Sequence, residues 1–122
     1  MKKINLKKAF DRIEDYWSPH IAANVNGQDI RLAKLKGEFE WHRHDNVEEA
    51  FLVMKGGFTM RFRDRDAPLQ EGDLIVVPAG VEHMPVAEEE CWVVLIENAG
   101  TRNTGEHRSD RTKDDLPALS GD

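Results

Sequence analysis

The chain has 122 residues, one cysteine and a formal net charge of -6. This length predicts a single domain that buries enough surface to fold without disulfide staples, and the lone Cys91 has no partner within the chain, as in a reducing compartment. The acidic balance argues against nucleic acid as a partner, no apolar run reaches membrane-spanning length, and the basic start runs into Asp11, Arg12, Glu14 and Asp15 instead of an apolar leader, so a cytoplasmic protein is expected.

Leu6, Phe10, Ile13 and Trp17 recur at intervals of three and four, which predicts a helix over residues 5–17 with Asn5 as its N-cap. Ser18-Pro19 ends it, because the residue before a proline is pushed out of the helical region. The apolar stripe predicts docking on the outside of the main body. From about Ala23 to Asn98 the pattern changes to short strands, at 30–35, 38–44, 50–54, 58–63, 74–77 and 91–97. Asn26-Gly27, Lys36-Gly37, Gly56-Gly57, Ala67-Pro68, Glu71-Gly72-Asp73 and Pro78-Ala79-Gly80 separate them. Many short strands between turns, without alternating helices, predict an all-β sandwich or small barrel. Val93 to Ile96 is a continuous apolar run, as in a strand buried on both faces. Arg61, Arg63 and Arg65 share one parity and could hold an anionic ligand, but are read first as a solvated edge neutralised by Asp64 and Asp66. Residues 99–122 are polar, with only Leu116 to Leu119 offering anything to bury. They are expected to form an arm across a neighbouring subunit or a loose tail.

The residues with the most chemistry are His42, His44, Glu49 and His83. In an extended backbone, side chains at i and i+2 point the same way, so His42 and His44 can address one point. Asp45 to Glu48 favour a turn, after which Glu49 can lie on the neighbouring strand; Glu48, of opposite parity, would then face outward. The Pro78-Ala79-Gly80 turn can aim His83 back at the same place. Imidazole nitrogen and carboxylate oxygen are the donors that divalent first-row metals accept. A six-coordinate ion so held would keep two open positions. Glu40 shares the parity of His42 and could face the rim of the pocket, but is read first as a surface residue paired with a lysine; His20 and His107 are read as surface residues. Phe51 and Val53 share the parity of Glu49, and Met60 and Phe62 lie opposite to Arg61 and Arg63, so these four are predicted to line the interior pocket. Met84 and Trp92 are further interior candidates. No nucleophilic triad is visible, and no residue stands out as a general base.

Gly37…His42-Arg43-His44-x4-Glu49-x6-Gly56 resembles the first motif of the cupin superfamily, and Gly72-x5-Pro78-Ala79-Gly80-x2-His83 resembles the second. The resemblance covers about residues 30–97. Two departures stand outside the four ligand-type residues: Gly37 is followed by four residues before His42 where the pattern usually has five, and Ala87 replaces a usual asparagine. The resemblance implies a jelly-roll barrel over residues 23–98, between an N-terminal helix with its lead-in (1–22) and a C-terminal arm (99–122). It implies His42, His44, Glu49 and His83 as ligands of a divalent transition metal, with iron, manganese, nickel or zinc foremost. The whole chain also resembles small single-domain bacterial cupins often labelled uncharacterised or mannose-6-phosphate-isomerase-like, a label that follows fold more than activity.

Two function classes follow as expectations. An enzyme would act on a small organic molecule at the ion, as a dioxygenase with iron or as an isomerase or lyase with zinc, manganese or nickel. The alternative is a non-catalytic binder of a small molecule or of the metal. A homodimer is expected, with Leu6, Phe10, Ile13, Leu116 and Leu119 as candidate contacts.

Overall fold

In the computed structural model, which describes residues 3–119, one helix precedes seven strands: α1 (Leu6–Asp11), β1 (His20–Val25), β2 (Gln28–Glu38), β3 (Glu49–Lys55), β4 (Gly57–Phe62), β5 (Asp66–Gln70), β6 (Leu74–Val77) and β7 (His83–Asn98). The first two residues and the last three of the expected arm lie outside the described residues. All strand pairings are antiparallel. The sheet order is β1-β2-β7-β3-β6, and β4 joins β7 on one side and β5 on the other. Strand β7 is the spine. It pairs with β2 along most of its length, with β4 through His83 to Val86 and with β3 through Trp92 to Glu97. Gly37 sits at the register shift in β2 with φ +82°, a conformation that glycine adopts without strain, and pairs with the fully buried Ala87.

Alternation sorts the side chains into two sets. Ala33, Leu35, Phe51, Val53, Met60, Val93 and Leu95 face inward and form the barrel core. Leu32 and Val94 face outward and are covered by Ala9, Phe10 and Ile13. Val93 to Ile96 is therefore not uniformly buried: Val94 lies under the helix, whereas Ile96 is 37% exposed. Trp92 also faces outward and stacks on Phe10 with ring centroids 4.8 Å apart. The helix docks on the outside of the sheet as its stripe predicts.

The helix is shorter than predicted. Asn5 caps it, its side chain accepting from the Lys8 N–H at 3.0 Å, but the last helical residue is Asp11. Tyr16 then bridges to Lys34, and Trp17 takes φ +58° while its indole N–H donates to the Lys36 carbonyl at 2.8 Å. The Trp17 ring stacks on Phe39 at 5.0 Å and packs against the barrel core, so tertiary burial overrides the helical period at its last position. The predicted strand at 38–44 is likewise replaced: β2 ends at Glu38, and within 39–44 only His42 makes a ladder contact, with His83.

The polar C-terminal segment packs on its own barrel. Ala118 bridges to Ile21, with bonds from the Ile21 N–H to the Pro117 carbonyl and from the Leu119 N–H to the Ile21 carbonyl, both 2.8 Å. Leu119 joins the cluster under the helix. Arg111 donates to the Glu38 carbonyl, and the Glu106 N–H donates to the Arg43 carbonyl at 2.9 Å. Asn103 and Thr104 are buried and tie the segment together by bonds to Arg111, Lys113 and Thr112. No helix among the described residues is long and apolar enough to cross a membrane.

Candidate metal centre

His42 and His83 are locked together by two backbone bonds, from the His42 N–H to the His83 carbonyl at 3.1 Å and the reverse at 2.9 Å. His44 is anchored by its carbonyl, which accepts from the Gly80 N–H at 2.8 Å, so the Pro78-Ala79-Gly80 turn holds both His44 and the approach to His83. Glu49 opens β3, paired with Val77 on one side and Glu97 on the other. Thus an irregular crossing, a turn and the first residues of two strands bring four side chains to one place. Glu48 is exposed beside the buried Glu49, as alternation requires.

His42, His44, Glu49 and His83 are all buried, and each offers one ligand atom within 4.8 Å of the others. His44 Nε2 and His83 Nε2 lie 3.4 and 3.6 Å from Glu49 Oε1. None of these three atoms has a hydrogen-bond partner. His42 Nδ1 lies 2.9 Å from the Glu40 carbonyl and His83 Nδ1 2.9 Å from the Val81 carbonyl. A carbonyl only accepts, so Nδ1 of each carries the proton and Nε2 is left as a lone-pair donor. Buried polar atoms are ordinarily bonded, and leaving one unpaired costs about 1–3 kcal/mol. Donors about 2.1 Å from a common centre would be some 3–4 Å apart, so the set fits a divalent transition metal.

Burial raises the Glu49 carboxyl, but the close approach of Glu97, His44 and His83 to its oxygens outweighs it and holds the group well below the usual carboxylate range. Burial, and then the charge of Glu49, push Glu97 well above that range against the pull of Arg31. Burial also pushes the Cys91 thiol up to about 12, which removes it as a nucleophile at neutral pH.

Burial, then His83, lowers the His42 imidazole from 6.5 to about 4. In the metal-free chain the unfolded state therefore takes up a proton that the folded state refuses. Above 6.5 the group contributes nothing; stability is lost as pH falls from 6.5, reaching about 3 kcal/mol near the folded value. Urea unfolding of metal-free protein at stepped pH, compared with His42→Gln, isolates this loss from Glu97, which acts in the opposite direction. An unchanging difference between the two chains across that window would show His42 to be solvated.

Beside the four residues lies a cavity of about 40 Å³. Its apolar wall includes Trp17, Leu35, Phe39, Phe51 and Leu95, and its polar side is formed by His42, Glu49, Glu97 and Asn103. Of the four predicted lining residues, Phe51 lines it. Val53 and Met60 pack in the barrel core, Phe62 packs at the edge of that core, and none of these three reaches the cavity. Met84 is buried, and Trp92 lies on the outer face. Glu40 meets the C-terminal segment instead of a lysine, accepting from Ser109 Oγ at 2.6 Å, with His107 Nε2 3.6 Å away. His107 is exposed as predicted, whereas His20 is half-buried and bonded to the Ser18 carbonyl. Arg61 pairs with Asp66 at 3.5 Å, but Arg63 pairs with Glu82 and lies over the Trp41 ring.

Three buried charges beside the site escaped the sequence reading. Asp29, Arg31 and Glu97 are 4%, 2% and 1% exposed, and Arg31 bonds to both carboxylates and to the Thr101 carbonyl. Their signal was parity: Asp29 and Arg31 share the inward face with Ala33, and Glu97 with Val93 and Leu95.

Gly105 places the C-terminal segment against Arg43 and His44. It has φ +61°, and an added Cβ would overlap the Arg43 carbonyl and lie 3.3 Å from His44 Nδ1. Gly105→Ala is expected to destabilise by about 1–3 kcal/mol, through the left-handed backbone and loss of the Glu106–Arg43 bond. Gly100→Ala is the control, since that glycine has φ +86° but nothing within 4 Å of its Cβ. Equal denaturant midpoints for the two variants would show that the segment yields freely.

A family profile described as "Cupin domain" matches residues 30–97, more than half of the chain. The uncharacterized protein YdbB of Bacillus subtilis is 30% identical over 83 residues, 67% of this chain and 74% of that protein. A 3-hydroxyanthranilate 3,4-dioxygenase of Brucella anthropi is 31% identical over 61 residues, 45% of this chain and 34% of the enzyme. Among solved structures, a cupin-2 domain protein from Shewanella frigidimarina is 42% identical with a TM-score of 0.77, over 78% of this chain and 93% of that one.

Proposed function

The chain belongs to the cupin family, and we propose that it is a metalloprotein that holds a divalent transition metal on His42, His44, Glu49 and His83 and acts on a small organic molecule in the adjoining cavity. The observation that carries this reading is the convergence of buried donor atoms, three of them without any protein partner. When bound, such an ion supplies open coordination positions at which oxygen or a substrate oxygen is activated. The chain's own groups do the rest. The Glu40 and Val81 carbonyls keep His42 and His83 in the tautomer that presents Nε2. The apolar wall excludes water from the ligand.

Dioxygenase chemistry with iron is the lead, supported by the partial likeness to a relative named as a dioxygenase. Protein loaded anaerobically with ferrous iron should consume oxygen when the right small substrate is added, and Glu49→Gln should abolish turnover. Uptake absent with every substrate class, alongside full metal loading and ligand binding, would leave a non-catalytic binder or an isomerase.

We also propose a homodimer, formed through the outer face of β6, β3 and β7. Phe10 and Ile13 are buried within the chain, whereas Leu74, Val76 and Ile96 are 60%, 49% and 37% exposed. Val76, Ala50 and Ile96 are successive partners across that face, and β6 is a sheet edge. Sedimentation should show a species twice 13.9 kDa, and Leu74→Glu should dissociate it. A 13.9 kDa species alone at micromolar concentration would overturn the dimer.

A further inference from the structure

The cavity beside the proposed metal centre meets solvent at an aromatic pair. Of the described residues that line it, all are buried except Trp17 and Phe39, which are half-buried. Their rings stack with centroids 5.0 Å apart. Phe39 is the firmly seated half. Its ring stands perpendicular to that of His42 at 5.4 Å, the Arg111 guanidinium lies 5.6 Å from its centroid, and its N–H donates to the Pro85 carbonyl at 3.1 Å. Trp17 is set differently. Its φ of +58° is a left-handed conformation that a bulky residue seldom takes. Two bonds keep it there, from its N–H to the Lys34 carbonyl at 2.9 Å and from its indole N–H to the Lys36 carbonyl at 2.8 Å. A residue in such a conformation persists only where its surroundings over-determine it, and such residues gather at ligand sites. The volume behind the pair sets the scale. About 40 Å³ holds about three waters, so the closed cavity takes only a body of a few heavy atoms.

We propose that Trp17 is the size-determining residue of this cavity: its indole, stacked on Phe39, closes the mouth so that a molecule of a few heavy atoms passes and one the size of a ring is held out. That the molecule passing is a substrate rests on the metal reading above, but the size limit belongs to the aromatic pair and is measurable without turnover. Trp17→Gly removes the indole and suits the backbone, since glycine takes a positive φ without strain. Dissolved oxygen and the ring-sized nitroxide 4-hydroxy-TEMPO are uncharged paramagnets of unequal size. Each reports its entry by broadening nearby proton resonances, so no ligand affinity is needed. The methyl groups of Ala33 and Leu95, two buried residues of the cavity wall, are the reporters. Val53, which is 1% exposed in the barrel core and does not line the cavity, is the control. The full chain is measured metal-free and with added zinc.

In the unsubstituted chain, oxygen should broaden the Ala33 and Leu95 methyl resonances and the nitroxide should leave them unchanged. In Trp17→Gly the nitroxide should broaden both, with Val53 unaffected. Should that variant fail to fold, Phe39→Ala, which removes the other ring of the pair, is held to the same outcome. Oxygen excluded from the unsubstituted chain, the nitroxide already entering it, or the nitroxide still excluded from the variant would overturn the proposal. Broadening of Val53 together with the two reporters in the variant would also overturn it, since that marks a loosened core and not an opened mouth. Failure of zinc to bind, with the size pattern intact, would overturn the metal reading and leave the role of Trp17 standing.

Discussion

His83→Ala is expected to purify with less than about a tenth of the metal carried by the unsubstituted chain. Loss of an outer-shell partner alone typically weakens metal binding 10–100-fold, and His83 supplies a donor directly in the proposed set, so at least about 100-fold is expected. The variant should still fold, because the bonds that join His42 to His83 are made by the backbone and survive loss of the ring. Stabilisation by a bound ion grows with the logarithm of its affinity. A 100-fold loss removes about 2.7 kcal/mol of it, or several degrees of melting temperature for a chain of this size. Elemental analysis without chelator, and melting with and without added zinc, give the two readouts. His107→Ala is the control, since that ring is 55% exposed and lies beside Glu40, outside the four-residue cluster. Full metal content in His83→Ala would show that the four donors are not the ligand set.

The local rules that reached the site concern spacing, and the rules that failed concern context. An i, i+2 pair shares a face in any extended backbone, so His42 and His44 come together although no regular strand forms between residues 39 and 44. Pro68 lies within β5, and a proline demotes a strand unless its missing N–H falls on an edge; β5 pairs only with β4 and is such an edge. Strand β1 is half-buried at its start and exposed at its end, so its sequence carries little apolar alternation. The C-terminal segment was illegible for a related reason. It binds the barrel through main-chain bonds and through Asn103 and Thr104, groups that in a linear sequence look like those of any solvated loop. Asp29, Arg31 and Glu97 were hidden because charges usually mark the outer face, and here their parity places them inside.

That buried group sets the other large effect. Arg31→Met should destabilise the chain by about 3–5 kcal/mol at neutral pH, a large part of the roughly 5–15 kcal/mol that holds a domain folded. The reason is not the worth of the ion pair but what its loss leaves: Asp29 and Glu97 buried without a cation, with Glu49 paired across the sheet to Glu97. Two further outcomes separate this from simple loss of packing. Neutralising the partners as well, in Arg31→Met with Asp29→Asn and Glu97→Gln, should recover much of the stability, since replacing a whole buried ionic group is often close to neutral. The deficit should also shrink in mild acid. Burial and Glu49 already raise the Glu97 carboxyl well above 4.5, and removing Arg31 takes away the opposing pull. A group raised on folding contributes stability that is fully present below its unfolded value and is lost as pH rises through its folded value. The variant should therefore gain on the unsubstituted chain as pH falls from neutral toward 4.5. Urea midpoints of the single and triple variants at neutral and mildly acidic pH decide the matter. A deficit in Arg31→Met that is independent of pH, and that the triple variant does not relieve, would mean the guanidinium acts by filling space and that charge compensation beside the metal site is not its role.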